Sequence, residues 1–169
     1  MDQQKNIAFV IMGVSGVGKT TIGELLSAKT NLPFFDGDDF HSAENITKMA
    51  SGKALNDADR KDWLLRLNKL IKENNTKQGC ILACSALKES YRKILSSDNE
   101  MQIQFIFLQG SYNEILQRLQ QRKNHFMSTA LLASQFDTLE VPTDAFNISI
   151  NNSPEEIVAI IQNKFFLNN

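Results

Sequence analysis

The sequence lacks any long hydrophobic run and any block of charges of one sign. No apolar stretch approaches the roughly 20 residues of a membrane-spanning helix, and the first residues, MDQQKN, contain no apolar leader. Lys and Arg number 18 against 19 Asp and Glu, a net charge of −1, so a bulk polyanion such as DNA is not an expected partner. These absences predict a soluble, cytoplasmic protein that binds neither membranes nor nucleic acid.

Cysteine is also scarce. The two cysteines, Cys80 and Cys84, lie close together in one apolar stretch. If that stretch is a strand, their Cα atoms are about 13 Å apart, too far for a disulfide or for a shared metal ion. We therefore expect two buried, small apolar side chains, which suit a reducing compartment.

The sequence does contain a glycine-rich motif between an apolar run and a helical pattern. Residues 13–21 read GVSGVGKTT and fit G-x-x-x-x-G-K-[ST] at every position. Backbone N–H groups of such a loop surround phosphate oxygens, and the following helix directs the positive end of its dipole at them. A glycine turn that merely joins strand to helix is disfavoured, because motif and context agree. The predicted phosphate-binding residues are Gly13, Val14, Ser15, Gly16, Val17, Gly18, Lys19, Thr20 and Thr21.

Apolar runs alternate with helical patterns along the whole chain. This alternation predicts one domain over residues 1–169, of the α/β class and the three-layer P-loop type, with a five-stranded parallel sheet covered by helices on both faces. The predicted strands are 7–12, 33–36, 80–84, 103–108 and 147–150. The predicted helices are 21–29, 57–73, 88–95, 112–122, 130–138 and 154–166. Residues 37–78 form a long excursion between the second and third strands, which we interpret as a substrate-side insertion.

Two aspartates follow the second predicted strand, in the segment FFDGDDFH. Ligands of parallel sheets bind beyond the carboxyl ends of the strands, so Asp36 and Asp38 are expected to face the phosphate loop. One carboxylate can orient Mg²⁺ while the other accepts a proton from an attacking hydroxyl. The alternative is an acidic turn that caps the next helix, which is the role expected of Asp39.

Arg60 lies where an anionic partner is needed. The spacing of Arg60, Trp63 and Leu64 puts this arginine on the apolar face of the helix 57–73. A buried cation without an anionic partner is costly. The partner is either internal, such as Asp57, or a substrate carboxylate, and we favour the substrate.

Two further basic segments leave a functional and a structural interpretation open. Lys88 and Arg92, spaced i, i+4, could hold an acidic substrate or form a solvated basic face. The polar segment from about residue 122 to 130 could be a lid that excludes water and brings Arg122 over the transferred group. Arg122 could equally complement the dipole at the end of its helix.

Taken together and in order, these segments resemble the small P-loop gluconokinases, relatives of shikimate kinase and adenylate kinase. The resemblance covers about residues 7–142 and includes GVSGVGKT, FDGDDFH, KMASGKALNDADRKDWL, ACSALKESYR, FIFLQGSYNEILQRLQQRKNHFM and SQFDTLEVP. It implies ATP-dependent phosphorylation of the 6-hydroxyl of D-gluconate, with Mg²⁺ as cofactor. It also implies a homodimer, as in many bacterial members.

Roles for the candidate residues follow from this resemblance. Thr20 and Asp36 would hold Mg²⁺, and Asp38 would position or deprotonate the acceptor hydroxyl. Lys19, at the β- and γ-phosphates, would act with Arg122 to stabilise charge on the transferred group. Arg118 would lie on the adenine. The residues expected to hold the carboxylate and hydroxyls of gluconate are Arg60, His41, Lys88 and Arg92.

Three other functions are kept as alternatives. The nearest is a kinase for another small acceptor, such as shikimate or a nucleotide. A GTPase-like switch is disfavoured because the chain has no N-K-x-D motif and no D-x-x-G after the phosphate loop. A nucleotide-binding regulatory protein without catalysis is disfavoured by the intact set of Lys19, Thr20, Asp36 and Asp38.

Overall fold

The sheet of the computed structural model has five strands, all parallel. The structure describes residues 6–97, 102–121 and 129–167. Within these ranges the strand order is β2-β3-β1-β4-β5, and every neighbouring pair is parallel. The strands are β1 Ile7–Met12, β2 Phe34–Asp36, β3 Cys80–Ala83, β4 Gln102–Gln109 and β5 Phe146–Ser149. The predicted five-stranded parallel sheet is confirmed.

Seven α-helices are seen in the part of the chain that the structure describes. They are α1 Lys19–Thr30, α2 Ala43–Ala50, α3 Asp57–Asn75, α4 Glu89–Leu95, α5 Tyr112–Gln121, α6 Thr129–Thr138 and α7 Pro154–Phe165. Capping boxes begin α5 at Ser111 and α7 at Ser153. Over the same described ranges, no helix combines the length and the apolar character needed to cross a membrane.

The segment between β2 and β3 contains two elements that the sequence patterns missed. A short 3₁₀ helix covers Gly37–Phe40, and α2 follows it. Ser42 caps α2 by accepting a hydrogen bond from the backbone N–H of Asn45 at 3.1 Å. Ser42 was the available signal, but the eight residues of α2 are too few for a clear apolar periodicity.

β1 is the central strand of the sheet and leads directly into the phosphate loop. Its residues from Ala8 to Met12 are almost fully buried between the two helical layers. Cys80 and Cys84 are buried beside it as free thiols, as predicted. Burial raises the pKa of each thiol to about 12, so both stay protonated at neutral pH. A rigid central strand therefore delivers the phosphate loop to the carboxyl edge of the sheet.

Candidate active site

The phosphate loop connects β1 to α1 and is shaped by its glycines. Gly18 is the residue before α1 and has a φ of 102°, a left-handed conformation that glycine adopts without strain. No atom within reach would meet a side chain at Gly18, so this part of the loop is open. Gly13 is different, because a Cβ there would lie 2.9 Å from the backbone oxygen of Leu108. The loop therefore needs glycine for conformation at one end and for close packing at the other.

Lys19 folds back over this loop. Its Nζ donates hydrogen bonds to the backbone oxygens of Gly13 and Val14, both at 3.0 Å. Burial lowers the pKa of Lys19, while the nearby carboxylates of Asp38 and Asp36 act in the opposite direction. A phosphate bound at the loop would act in the same direction as these carboxylates. It would raise the pKa of Lys19 and so favour its protonated form.

Thr20 and Asp36 come together from the start of α1 and the end of β2. The Thr20 hydroxyl donates to Asp36 Oδ2 at 2.9 Å, and Asp36 Oδ1 accepts the backbone N–H of Asp38 at 3.0 Å. Within the described residues, no three His, Cys, Asp or Glu side chains are grouped so that they could hold a metal ion. One hydroxyl and one carboxylate instead fit Mg²⁺, which keeps several waters and takes further oxygens from substrate phosphates.

Asp38 lies in the 3₁₀ helix and faces solvent, with 83% of its side chain exposed. The 3₁₀ helix packs against α3, where Trp63 Nε1 donates a hydrogen bond to the Gly37 backbone oxygen at 2.7 Å. The expected capping role of Asp39 is wrong. Asp36 caps the 3₁₀ helix and Ser42 caps α2, because their side chains are the ones that reach the free N–H groups.

Two cavities meet at Ser15 and Asp38. The first, here called the phosphate cavity, has a volume of about 90 Å³ and is lined by the phosphate loop together with Asp36, Asp38 and the end of β3. The second, here called the side cavity, has a volume of about 250 Å³. The residues that line the side cavity are Ser15, Asp38, Met49, Ala50, Ala54, Leu55, Arg60, Leu131, Ser134 and Gln135. A group bound to the phosphate loop is thus adjacent to the side cavity.

Arg60 connects the side cavity to a third one. Its side chain is only 9% exposed, and its Nη1 donates to the Tyr91 hydroxyl at 3.0 Å. The Tyr91 hydroxyl in turn donates to Asp57, which also accepts a hydrogen bond from Lys88 Nζ at 3.0 Å. The internal partner considered for Arg60 is therefore present, although it is reached through Tyr91.

The third cavity, here called the basic cavity, has a volume of about 390 Å³ and is lined by Arg60, Lys88, Asp57 and Tyr91 among others. Hydrogen bonds from Tyr91 and Lys88 lower the pKa of Asp57, and Asp57 raises the pKa of Lys88. Asp57 is therefore ionised and Lys88 protonated at neutral pH. Among the residues that line this cavity, two cations, Arg60 and Lys88, face one carboxylate, Asp57.

His41 is buried against Trp63 rather than offered as a cation. The two rings are stacked with centroids 4.1 Å apart, and the His41 side chain is 4% exposed. Burial and the charges of Arg60 and Arg66 lower the pKa of His41 to about 4. Its Nε2 lies 3.9 Å from Asp38 Oδ1, so the neutral ring is positioned beside the candidate base.

Arg92 does not share a site with Lys88. It is 7% exposed and donates to the backbone oxygens of Ala86, at 2.7 Å, and Glu140, at 3.0 Å. These two bonds tie α4 to the segment after α6. The prediction that Arg92 joins Lys88 at a bound substrate is therefore corrected, because its guanidinium is committed to backbone carbonyls away from the side and basic cavities.

Comparisons with known proteins assign the chain to a family. The family model described as Shikimate kinase matches residues 15–159. A probable gluconokinase from Dictyostelium discoideum is 46% identical over 95% of this chain and 87% of its own length. The thermosensitive gluconokinase of Escherichia coli (strain K12) is 43% identical over 93% of this chain and 90% of its own length. The chain belongs to the gluconokinase family.

A solved structure supports the same assignment. A gluconokinase from Sinorhizobium meliloti 1021 matches with a TM-score of 0.83 and 32% identity, covering 99% of this chain and 100% of that one. The resemblance stated from the sequence motifs, and the P-loop kinase fold that it implied, are thereby confirmed.

Two residues of this gluconokinase-family chain were predicted to contact the nucleotide, Arg118 and Arg122. Arg118 is exposed, and its Nη2 donates to the Ile150 oxygen at 2.6 Å. Arg118 therefore lies next to the turn that precedes α7. Arg122, and residues 122–128 of the predicted lid, lie outside the described residues.

Sequence reasoning missed the contribution of α6. Ser134 and Gln135 line the side cavity, and Gln135 Oε1 accepts the backbone N–H of Ser15 at 2.7 Å. Both residues belong to the segment SQFDTLEVP, which carried part of the family resemblance. Nothing in the spacing of a glutamine on a short helix indicates that it reaches a loop 120 positions away.

Proposed function

We propose that this protein transfers the γ-phosphoryl group of ATP to the 6-hydroxyl of D-gluconate. The observation that carries the proposal is the junction of the phosphate and side cavities at Ser15 and Asp38. A donor phosphate and an acceptor hydroxyl can meet there beside a carboxylate. The membership of the gluconokinase family supports gluconate as the acceptor.

The donor side consists of the phosphate loop, Thr20 and Asp36. The N–H groups of residues 13–21 would hold the phosphates of ATP, and Arg118 would lie on the adenine. The adjacent oxygens of Thr20 and Asp36 would hold Mg²⁺. When bound, Mg²⁺ neutralises charge that develops on the β- and γ-phosphates. Lys19, whose Nζ lies over the loop, would stabilise charge on the transferred group. Arg122 is proposed to do the same from a lid formed by residues 122–130.

The acceptor side fits a chain-like hydroxy acid. Gluconate has its 6-hydroxyl and its carboxylate at opposite ends. The side and basic cavities share Arg60 and Leu55, so an extended acceptor could run from Asp38 to the two cations of the basic cavity. Because two cations and one carboxylate line the basic cavity, a carboxylate of the acceptor would be attracted to this end.

Asp38 is proposed to position or deprotonate the 6-hydroxyl. Its exposed carboxylate stands at the cavity junction, whereas Asp36 is engaged with Thr20 and the Asp38 N–H. The neutral ring of His41 would lie beside Asp38 and could hydrogen bond an acceptor hydroxyl. We therefore propose that Arg60 and Lys88 bind the carboxylate of gluconate and that His41 binds one of its hydroxyl groups.

A coupled assay tests this proposal. ADP release would be followed with ATP and Mg²⁺ against a panel containing gluconate, shikimate and nucleoside monophosphates, and the product would be located by NMR. We expect ADP release that depends on gluconate, with phosphate on O6. Turnover of shikimate or a nucleotide without turnover of gluconate would contradict the proposal.

The homodimer stays a prediction that rests on the resemblance, and the cytoplasmic location stays a prediction that rests on the composition of the sequence. Light scattering coupled to size-exclusion chromatography tests the first, with a mass of twice 19.1 kDa expected. A single-chain mass across the working concentration range would contradict it.

A further inference from the structure

Gln135 connects α6 to the phosphate loop. Its Oε1 accepts the backbone N–H of Ser15 at 2.7 Å, across 120 positions of sequence. Gln135 is half-buried and lines the side cavity, while Ser15 lines both the side cavity and the phosphate cavity. The hydrogen bond therefore spans the junction at which the donor and acceptor sites meet.

The Ser15 N–H cannot serve Gln135 and a phosphate equally well. Backbone N–H groups of a phosphate loop donate to phosphate oxygens. A hydrogen bond to an anionic oxygen is roughly twice as strong as one to a neutral amide oxygen. Bound ATP is thus expected to take this N–H, which would release the Gln135 side chain into the side cavity.

A released glutamine suits a polyhydroxylated acceptor. Its amide offers two donors and an acceptor oxygen, which complement hydroxyl groups. We propose that Gln135 couples the two sites: its amide is held by Ser15 when the loop is empty, and binds acceptor hydroxyls when ATP occupies the loop. Gln135 would thereby make gluconate bind more tightly to the protein when ATP occupies the loop. The inference rests on the proposed function, and by linkage gluconate must strengthen ATP binding by the same factor.

Calorimetry can measure this coupling directly. The Kd of gluconate would be determined with and without a non-hydrolysable ATP analogue and Mg²⁺, for the unaltered protein, Gln135→Met and Ser134→Ala. We expect the analogue to tighten gluconate binding about fivefold or more in the unaltered protein, as is usual for coupled sites. Gln135→Met, which keeps the length but loses the hydrogen bonds, should reduce this ratio to within about twofold of one. Ser134→Ala, on the same wall, should keep the ratio whatever its effect on affinity itself.

A second variant covers the case in which Gln135→Met unfolds. Gln135→Glu keeps the shape and the acceptor for Ser15 but places a carboxylate where the γ-phosphate arrives. It should weaken binding of the ATP analogue about tenfold or more, and binding of ADP much less. A glutamine that only braces α6 would show a lowered Tm with an unchanged coupling ratio.

The outcomes separate this inference from the proposed function. A ratio near one in the unaltered protein, or an unchanged ratio in a folded Gln135→Met, overturns the coupling while gluconate remains the acceptor. Equal losses of ATP and ADP affinity in Gln135→Glu overturn the competition at Ser15. Absence of gluconate binding with and without the analogue overturns the proposed function itself.

Discussion

The donor and acceptor sides of this site are built in different ways. The proposed donor side is a stretch of consecutive residues, 13–21, whose backbone and first helical turn would hold the phosphates, with Asp36 added from the next strand. The proposed acceptor side draws on side chains from four separate segments of the chain, at Asp38, Arg60, Lys88 and Gln135. A donor common to many kinases can be held by backbone geometry, whereas the choice of acceptor depends on side chains and their charges.

The sharpest test of this division is Asp38, which stands between the two sides. Asp38→Asn should lower kcat by about 10²- to 10⁴-fold, because a group that accepts a proton is lost. Binding of ATP should change little, since Asp36 and Thr20 remain. Steady-state kinetics and nucleotide titration provide the measurement.

Asp39→Asn is the matched control for Asp38→Asn. Asp39 is the adjacent, exposed acid of the same 3₁₀ helix. Its variant should keep nearly full activity. If both variants lost activity alike, the loss would reflect the charge of the turn, and Asp38 would not be the base.

Lys19→Met probes the donor side. Removing a charge aimed at the transferred group should lower kcat by about 10²- to 10³-fold, with the KM for gluconate almost unchanged. Lys29→Met, in the exposed last turn of the same helix, is the control and should behave as the unaltered protein. A large rise in the gluconate KM of Lys19→Met would show that the two sides are not separable in this way.

Arg60→Ala probes the acceptor side. Loss of the guanidinium should raise the KM for gluconate by about 10- to 100-fold, a range that corresponds to one charge-assisted hydrogen-bonding group. The KM for ATP should stay within about twofold. Kinetics with each substrate varied in turn measure the two values.

Arg92→Ala is the informative comparison for Arg60→Ala, since both arginines are buried. Arg92 binds the backbone oxygens of Ala86 and Glu140, so its loss should lower the free energy of unfolding by about 2–3 kcal/mol. The KM for gluconate should not move. A raised KM in the Arg92 variant, with stability unchanged, would restore Arg92 to the substrate site.

The smallest expected effect concerns His41, whose titration should make the stability of the protein depend on pH. Its pKa is lowered in the folded protein, from 6.5 to about 4, so the unfolded chain takes up a proton that the folded protein resists. The stability contributed by neutral His41 is complete above pH 6.5 and is lost as the pH falls toward 4. His41→Gln cannot titrate and should show a smaller fall in Tm between pH 6.5 and 4.

The pH range separates the effect of His41 from the effects of nearby carboxylates. Hydrogen bonds and neighbouring cations lower the pKa values of Asp57 and Asp59 below 3.8, so these carboxylates lose their contribution at lower pH. Parallel Tm curves for His41→Gln and the unaltered protein between pH 6.5 and 4 would show that His41 is already protonated in the folded state.

Predictions from the sequence were most successful where the signal is local. The strands agree with the structure to within one residue at each end, because buried parallel strands appear as short apolar runs. The buried cysteines followed from the same reasoning. Trp63 lies on the predicted apolar face of its helix and is buried in the core, and α3 begins at Asp57 as predicted.

Predictions were less successful for side chains whose hydrogen-bond partners are distant in the sequence. Arg60 and Arg92 look alike in the sequence, yet one lines two cavities and the other binds backbone carbonyls. The expectation that His41 contacts gluconate stays a prediction, but the sequence did not indicate its stacking on Trp63 or the buried surroundings that keep its ring neutral. Such choices depend on burial and on neighbouring charges, which no single stretch of sequence contains.

The sequence by itself determined the phosphate loop, the five strands, all the α-helices but α2, and the family. These depend on backbone conformation and periodicity, which neighbouring residues control directly. Only the tertiary structure decided that Asp38 and Ser15 stand at the junction of two cavities, that Asp57 and Tyr91 accompany Arg60, and that Gln135 reaches the phosphate loop. The reason is physical: hydrogen bonds and charge interactions act over a few ångströms in space, and folding alone brings residues 120 positions apart within that distance.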